Sequence, residues 1–341
     1  MARYGTQFGP DITFHEVPRC DWADPGTFAG ADVVVLGAPF DGGTSYRAGT
    51  RFGPQHIRQA SYSRAGGARP SLALRVDALR DLAVFDAGDV EAFSGDAERM
   101  VHDLRHAVHA LAAAGVVPVI LGGDHTIAWP DIAGVAQHYG QGRVAVVHFD
   151  AHADTGDVEF GSLIGHGQPM RRLIESGAAR GDRFVQLGLR GYGPPPDTLE
   201  WMARHGIRAY EMTEIGARGL DECLGEALAI AADGCDGVFL SVDIDACDPA
   251  FAPGTGTPEP GGFTSRELLD AVRRVGYELP VVGMDVVEVA PPYDHAEITS
   301  FLANRVVLEA LSGIARRRAD ARDGSRWDPR QPLLDDRRRD G

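Results

Sequence analysis

Apolar residues fall along the chain in two patterns. Short runs that are apolar at nearly every position alternate with longer segments in which they recur every third or fourth residue. The first pattern marks strands buried on both faces, and the second marks amphipathic helices. Runs rich in Val, Leu and Ile predict strands at Ala31–Ala38, Leu82–Phe85, Val116–Leu121, Val144–Phe149, Phe184–Leu189, Gly237–Val242 and Val281–Val289. Helical spacing follows Pro54, where Ile57 and Ala60 share a face, and recurs over Asp96–Ala114, Arg171–Ser176, Asp197–His205, Glu222–Ala232, Ser265–Val275 and about Thr299–Ala315. Alternating strands and helices of this kind build an α/β fold around a parallel sheet. No shift in composition divides the middle of the chain. The expectation is an N-terminal arm over 1–30 lying on a neighbouring subunit, one domain over 31–315, and a charged tail over 316–341 that is disordered or loosely packed.

The polar residues that follow the strands are unusual. Val144–Phe149 leads into Asp150, His152 and Asp154, at i, i+2 and i+4, which on a continuing strand would project from one face. Two carboxylates and an imidazole held together repel unless a cation compensates them, and a divalent metal would do so. The alternative is an Asp that caps the next helix beside a hydrogen-bonded His152. Val116–Leu121 ends in GGDHT, which carries His125, and Gly237–Val242 ends in SVDIDACDP, which places Asp243 and Asp245 at i, i+2. Strand ends of this kind are where α/β folds carry their sites. Asp124 and Asp248 read as loop or cap residues. His138, His295 and the three histidines His102, His106 and His109 read as surface groups, and Cys247 as small-residue packing.

Composition narrows the class. The 341 residues carry a formal net charge of −16 and no lysine, with no basic stripe, which argues against nucleic acid or an anionic membrane as partner. Four cysteines without a CxxC pair fit reduced thiols in a cytoplasmic protein. No apolar run approaches the roughly 20 residues of a membrane span. The glycines after the first strand (42, 43, 49 and 53) match neither GxGxxG nor a phosphate-binding P-loop.

Together the three strand ends offer four carboxylates and two imidazoles: His125, Asp150, His152, Asp154, Asp243 and Asp245. Two divalent ions about 3.5–4 Å apart use such a set naturally. Oxygen and imidazole donors without thiolate favour Mn²⁺-like ions over structural Zn²⁺.

The motifs GGDHT, HFDAHADT, SVDIDACDPAFAPGTGTPEPGG and GMDVVEVAPPYD, with GAPFDGGTSYRAGTRFGPQHIR before them, resemble the ureohydrolases. That family comprises arginases, agmatinases and guanidino-acid amidinohydrolases, and the likeness spans about residues 31–315, on the agmatinase-like side. It implies a three-layer α/β/α fold with an eight-stranded parallel sheet, and assembly into homotrimers or homohexamers. It further implies two Mn²⁺ per chain. One would be held by His125, Asp150, Asp154 and Asp243, the other by Asp150, His152, Asp243 and Asp245. His166, in HGQP, would be a proton shuttle and Glu288 the guanidinium-binding carboxylate, with Asp154 accepting a hydrogen bond from the attacking hydroxide. The stretches TGDVEFGS and GLRGYGPPPD disfavour arginine as substrate. Asp157 and Glu159 would suit the amine of agmatine, giving putrescine and urea, within polyamine metabolism. Arg171 and Arg172 would instead suit a guanidino acid such as 4-guanidinobutyrate, 3-guanidinopropionate or a proclavaminate-type compound. A metal-binding relative without turnover, and formimino-group hydrolysis, are the remaining readings.

Overall fold

A strand that is apolar at every position needs cover on both faces, because successive side chains point to opposite sides. Val33 and Val35 pack into one apolar layer with Ile57, Leu224, Leu268 and Val306, while Val34 and Leu36 pack into the other with Met100, Leu104, Ile132 and Met170. The computed structural model, which describes residues 12–61 and 69–330, arranges these strands as a single sheet between two helical layers. Its strands are β1 (Val33–Ala38), β2 (Val84–Asp89), β3 (Val117–Gly122), β4 (Val144–Phe149), β5 (Phe184–Leu189), β6 (Arg208–Glu211), β7 (Gly237–Asp243) and β8 (Val281–Val287). The eight run in the order β2-β1-β3-β8-β7-β4-β5-β6, and every neighbouring pair is parallel. This is the expected three-layer α/β/α architecture.

The order has a consequence for the site. β3, β8, β7 and β4 are consecutive across the middle of the sheet although they lie far apart in sequence. Parallel pairing puts all four carboxyl ends on the same edge, so residues just beyond them converge.

Several elements differ from expectation. Residues 14–28 lie against their own chain, and residues before 12 lie outside the described part. Phe14 and Phe28 are buried in this chain, and the Phe14 amide donates to Asp86 Oδ2 at 2.7 Å. The arm carries its own aromatic anchors, so it folds back. The last helix runs Ile298–Asp323 and does not stop at Ala315. Asp320, within the expected tail, accepts bonds from Tyr277 Oη at 2.7 Å and the Trp327 amide at 2.7 Å. The residues beyond 330 lie outside the described part. The same helix is long and apolar enough by composition to cross a membrane, but it is mostly buried against Ser265–Glu278 and serves as a core helix.

Helix Ala128–Tyr139 and strand β6 have no counterpart among the predicted elements. The helix contains Pro130 and Gly134, which disguise its period. Gly134 lets it pack closely on Ala97–Ala113, since a Cβ there would lie 2.9 Å from Arg105 O.

Candidate metal centre and active site

The carboxyl ends of β3, β4, β7 and β8 deliver the predicted donors to one place. The route differs from the simple strand alternation expected for Asp150, His152 and Asp154. β4 ends at Phe149, and the three residues lie on the loop beyond it. Asp154 is turned inward by a left-handed backbone (φ 51°), and Glu288, just after β8, has φ 63°. Non-glycine residues in this region cost free energy and persist where the surroundings hold them, often at functional sites.

His125 organises the first half of the cluster. Its Nδ1 lies 3.1 Å from Asp150 Oδ2, 2.9 Å from Asp154 Oδ2 and 3.3 Å from Asp243 Oδ2. Yet this fully buried nitrogen makes no hydrogen bond to any of them. One ring nitrogen facing three carboxylate oxygens without bonding one is the geometry of donors directed at a common cation. In the second half, His152 Nδ1 lies 3.1 Å from Asp245 Oδ2 and 3.5 Å from Asp150 Oδ1. The two oxygens of Asp150 therefore face different imidazoles, an arrangement that would suit a ligand shared between two ions. Burial, reinforced by the charges of Asp245 and Asp150, pushes the Asp243 carboxyl well above its ordinary range. A divalent ion would relieve that repulsion. The six predicted donors thus lie together, and their oxygen and imidazole chemistry fits divalent metal.

The loops are shaped to bring these groups together. Asp243 Oδ1 accepts the Asp245 amide at 2.8 Å and Asp150 Oδ1 the His152 amide at 2.6 Å, so each turn is fastened by its own ligand. Asp124 has the cap role expected of it, accepting from the Thr126 amide at 3.0 Å and the Gly43 amide at 2.7 Å. Gly123 has no alternative, because a Cβ there would meet Phe40 O at 1.7 Å. Asp248 likewise ties its loop, through the Ala250 and Gly261 amides.

Behind the donors runs a row of polar groups, of which the sequence pattern marks only Asp285, as a carboxylate near the end of its strand. Gln186, His148, Ser241 and Asp285 are register partners across β5, β4, β7 and β8, and none is exposed. Gln186 Nε2 donates to His148 Nδ1 at 3.0 Å, and His148 Nε2 donates to Asp150 Oδ2 at 2.8 Å. His125 Nε2 meets Ser241 Oγ at 3.0 Å, and Ser241 in turn donates to Asp285 Oδ1 at 2.8 Å. His148 lies close enough to His125 and Asp150 to suggest a ligand. With both ring nitrogens engaged, however, it orients Asp150 and does not itself face an ion. A polar side chain interrupting an otherwise apolar strand was the available signal.

Glu288 and His166 stand together at the side of the cluster. Glu288 Oε1 accepts from His166 Nδ1 at 2.8 Å and from the His125 amide at 3.0 Å, while the buried Oε2 has no partner. His166 Nε2 faces Ser45, at 2.6 Å from Oγ and 3.1 Å from the amide. Burial opposes a charge on this ring, but the Glu288 carboxylate outweighs it and lifts His166 to about 9.

These groups open into a cavity of about 740 Å³, whose wall includes Asp157, Glu159, Arg171, Arg190, Tyr192 and Trp201. Asp157, expected to meet substrate, is mostly exposed and already lies 2.8 Å from Arg172. Among the described residues the four cysteines form no disulfide.

Residues 31–313 match the arginase family model. Proclavaminate amidinohydrolase of Streptomyces clavuligerus is 42% identical over 290 residues, covering 84% of this chain and 89% of that protein. Its solved structure superposes with a TM-score of 0.79, over 91% of this chain and 99% of the other. Agmatinase of Edwardsiella ictaluri is 40% identical over 82% of this chain and 87% of its own. Formiminoglutamase of Trypanosoma cruzi, solved with Mn²⁺, is 26% identical at a TM-score of 0.76, covering 84% of this chain and 94% of that one. The chain belongs to the arginase family, whose members are metal-dependent. It is a hydrolase acting on the C–N bonds of linear amidines.

Proposed function

We propose that the chain hydrolyses a small guanidino compound to urea and an amine, using two Mn²⁺ per chain. The observation that carries this reading is the His125 ring nitrogen, which faces Asp150, Asp154 and Asp243 at 2.9–3.3 Å without a hydrogen bond. His125, Asp150, Asp154 and Asp243 would hold one ion. Asp150, His152, Asp243 and Asp245 would hold the other. When bound, such a pair supplies hydroxide near neutral pH and stabilises developing negative charge.

The chain's own groups account for the remaining steps. Glu288 Oε2 is buried and unpartnered, so it accepts N–H bonds from a planar guanidinium and places the central carbon beside the metal donors. Asp154, turned inward, accepts a hydrogen bond from the attacking group and fixes its direction. The leaving amine needs a proton, and His166, kept basic by Glu288, holds one at the cavity edge. Collapse of the tetrahedral carbon then breaks the C–N bond and releases urea.

Agmatine, yielding putrescine, is the preferred substrate, because carboxylates on the cavity wall suit an ammonium tail. A guanidino acid is the second reading, supported by Arg171 on the same wall. The complete donor set speaks against a relative without turnover. The test is a panel of agmatine, arginine, 4-guanidinobutyrate, 3-guanidinopropionate and guanidine, with Mn²⁺-loaded protein and urea as the readout. Urea from agmatine at the highest kcat/KM supports the reading. No urea from any compound refutes it, and formamide from a formimino compound would replace it with the third chemistry.

A further inference from the structure

The charged groups on the cavity wall divide into those already satisfied and those left open. Arg171 donates from Nε to Thr155 O at 2.8 Å and lies 4.3 Å over the Trp201 ring. Arg190 spreads its guanidinium over the carbonyls of Gly188, Asp245, Ala246, Cys247 and Glu259. Asp157 is matched by Arg172. Two wall carboxylates, Glu159 and Glu259, have no side-chain hydrogen bond or ion pair among the described residues.

Of these two, Glu159 is seated beside the chemistry. Its carboxylate fills the space over two glycines. A Cβ at Gly156 would come within 2.5 Å of Oε1, and one at Gly167 within 2.7 Å of either oxygen. Gly156 and Gly167 are joined by a 2.9 Å backbone bond; Gly156 lies two residues after Asp154, and Gly167 follows His166 directly. A side chain at either position would evict the carboxylate from this seat. The backbone of Glu159 is itself held by paired bonds to Ser162, at 3.1 and 2.9 Å. Burial, and after it the charge of Asp154, hold the Glu159 carboxyl above its ordinary range against an opposing pull from His166, as fits a group close to the centre.

We infer that Glu159, and not Asp157, selects the substrate by binding a cationic tail, the primary ammonium of an ω-guanidinoalkylamine such as agmatine. Glu288 takes one end of the molecule and Glu159 the other, so a carboxylate tail is repelled where an ammonium is attracted. The inference rests on the guanidino-hydrolase reading above and names the tail subsite of the same cavity.

The test measures kcat and KM for agmatine and for 4-guanidinobutyrate, by urea release, in wild type, Glu159→Gln, Glu159→Asp and Glu259→Gln, with manganese content determined for each. Wild type is expected to prefer agmatine. Glu159→Gln should raise KM for agmatine roughly 10–100-fold, the range of a lost charged hydrogen bond, while kcat and manganese content hold. It should leave KM for 4-guanidinobutyrate unchanged or lower, and Glu159→Asp should restore part of the agmatine affinity. Equal effects on both substrates, or a selective loss in Glu259→Gln instead, overturn the assignment. A wild type that cleaves 4-guanidinobutyrate and ignores agmatine also overturns it, while its urea still upholds the hydrolase reading. Absence of urea from every guanidine removes the reading beneath it.

Discussion

His166 and Glu288 are joined by a 2.8 Å bond from the ring's Nδ1 to Oε1, and that oxygen also accepts the His125 amide at 3.0 Å. One carboxylate oxygen thus ties the proton-carrying histidine to the β3 ligand loop, and the other is left free. The division of labour within Glu288 predicts a separable phenotype. Glu288→Gln should keep its metal, because its side-chain partners are His166 Nδ1 and the His125 amide and not the proposed coordinating atoms, yet lose activity by about 10²–10³-fold, the scale of a missing charge-stabilising group. Elemental analysis and urea release on the same sample check both halves. Near-normal turnover would remove Glu288 from the site.

Asp150 presents Oδ2 to His125 and Oδ1 to His152. Asp150→Asn is therefore expected to lose both ions together, and Asp243→Asn, which stands in both proposed ligand sets, to do the same. The measurement is metal content per chain after dialysis. Two ions retained in either variant would contradict the shared-ligand arrangement.

The Gln186–His148–Asp150 chain predicts an effect without direct contact. His148→Ala should weaken manganese binding by roughly 10–100-fold, the usual cost of losing an orienting partner. Competition with a fluorescent chelator gives the dissociation constant. An unchanged value would make the row mere packing.

How much of this was legible from residue order differs by feature. His125, Asp150 and Asp243 stand just past apolar runs, and a polar residue at a strand end is visible without knowing which strands are neighbours. His148, Ser241 and Asp285 lie within strands, and their meaning depends on the order β5-β4-β7-β8, which local pattern does not encode. Asp157 and Glu159 looked equivalent two residues apart. The ion pair of Asp157 with Arg172, 15 positions on, separates them only in the folded chain. The short edge strand Arg208–Glu211 mixes polar and apolar residues, so it carries no run to detect.

Away from the site, His15 supplies a pH dependence. It is buried, its Nε2 meets Asn304 Oδ1 at 2.9 Å, and Arg69 lies against its Nδ1. Burial lowers its pKa from 6.5 to about 4. As pH falls below 6.5 the unfolded chain binds the proton first, so the stability from a neutral His15 is present above 6.5 and lost between 6.5 and 4. The full loss is roughly 3 kcal/mol. Denaturant melts at pH 7 and pH 5 should show a decline in wild type that is smaller in His15→Gln. An identical decline in both would assign the acid sensitivity to other groups.

The most direct test of the two-ion centre is manganese stoichiometry in the wild-type chain, measured by elemental analysis after loading and exhaustive dialysis. The account predicts two Mn²⁺ per chain, with urea-forming activity that disappears on chelation and returns with the metal. One ion or none at saturation, or activity indifferent to chelation, would contradict it.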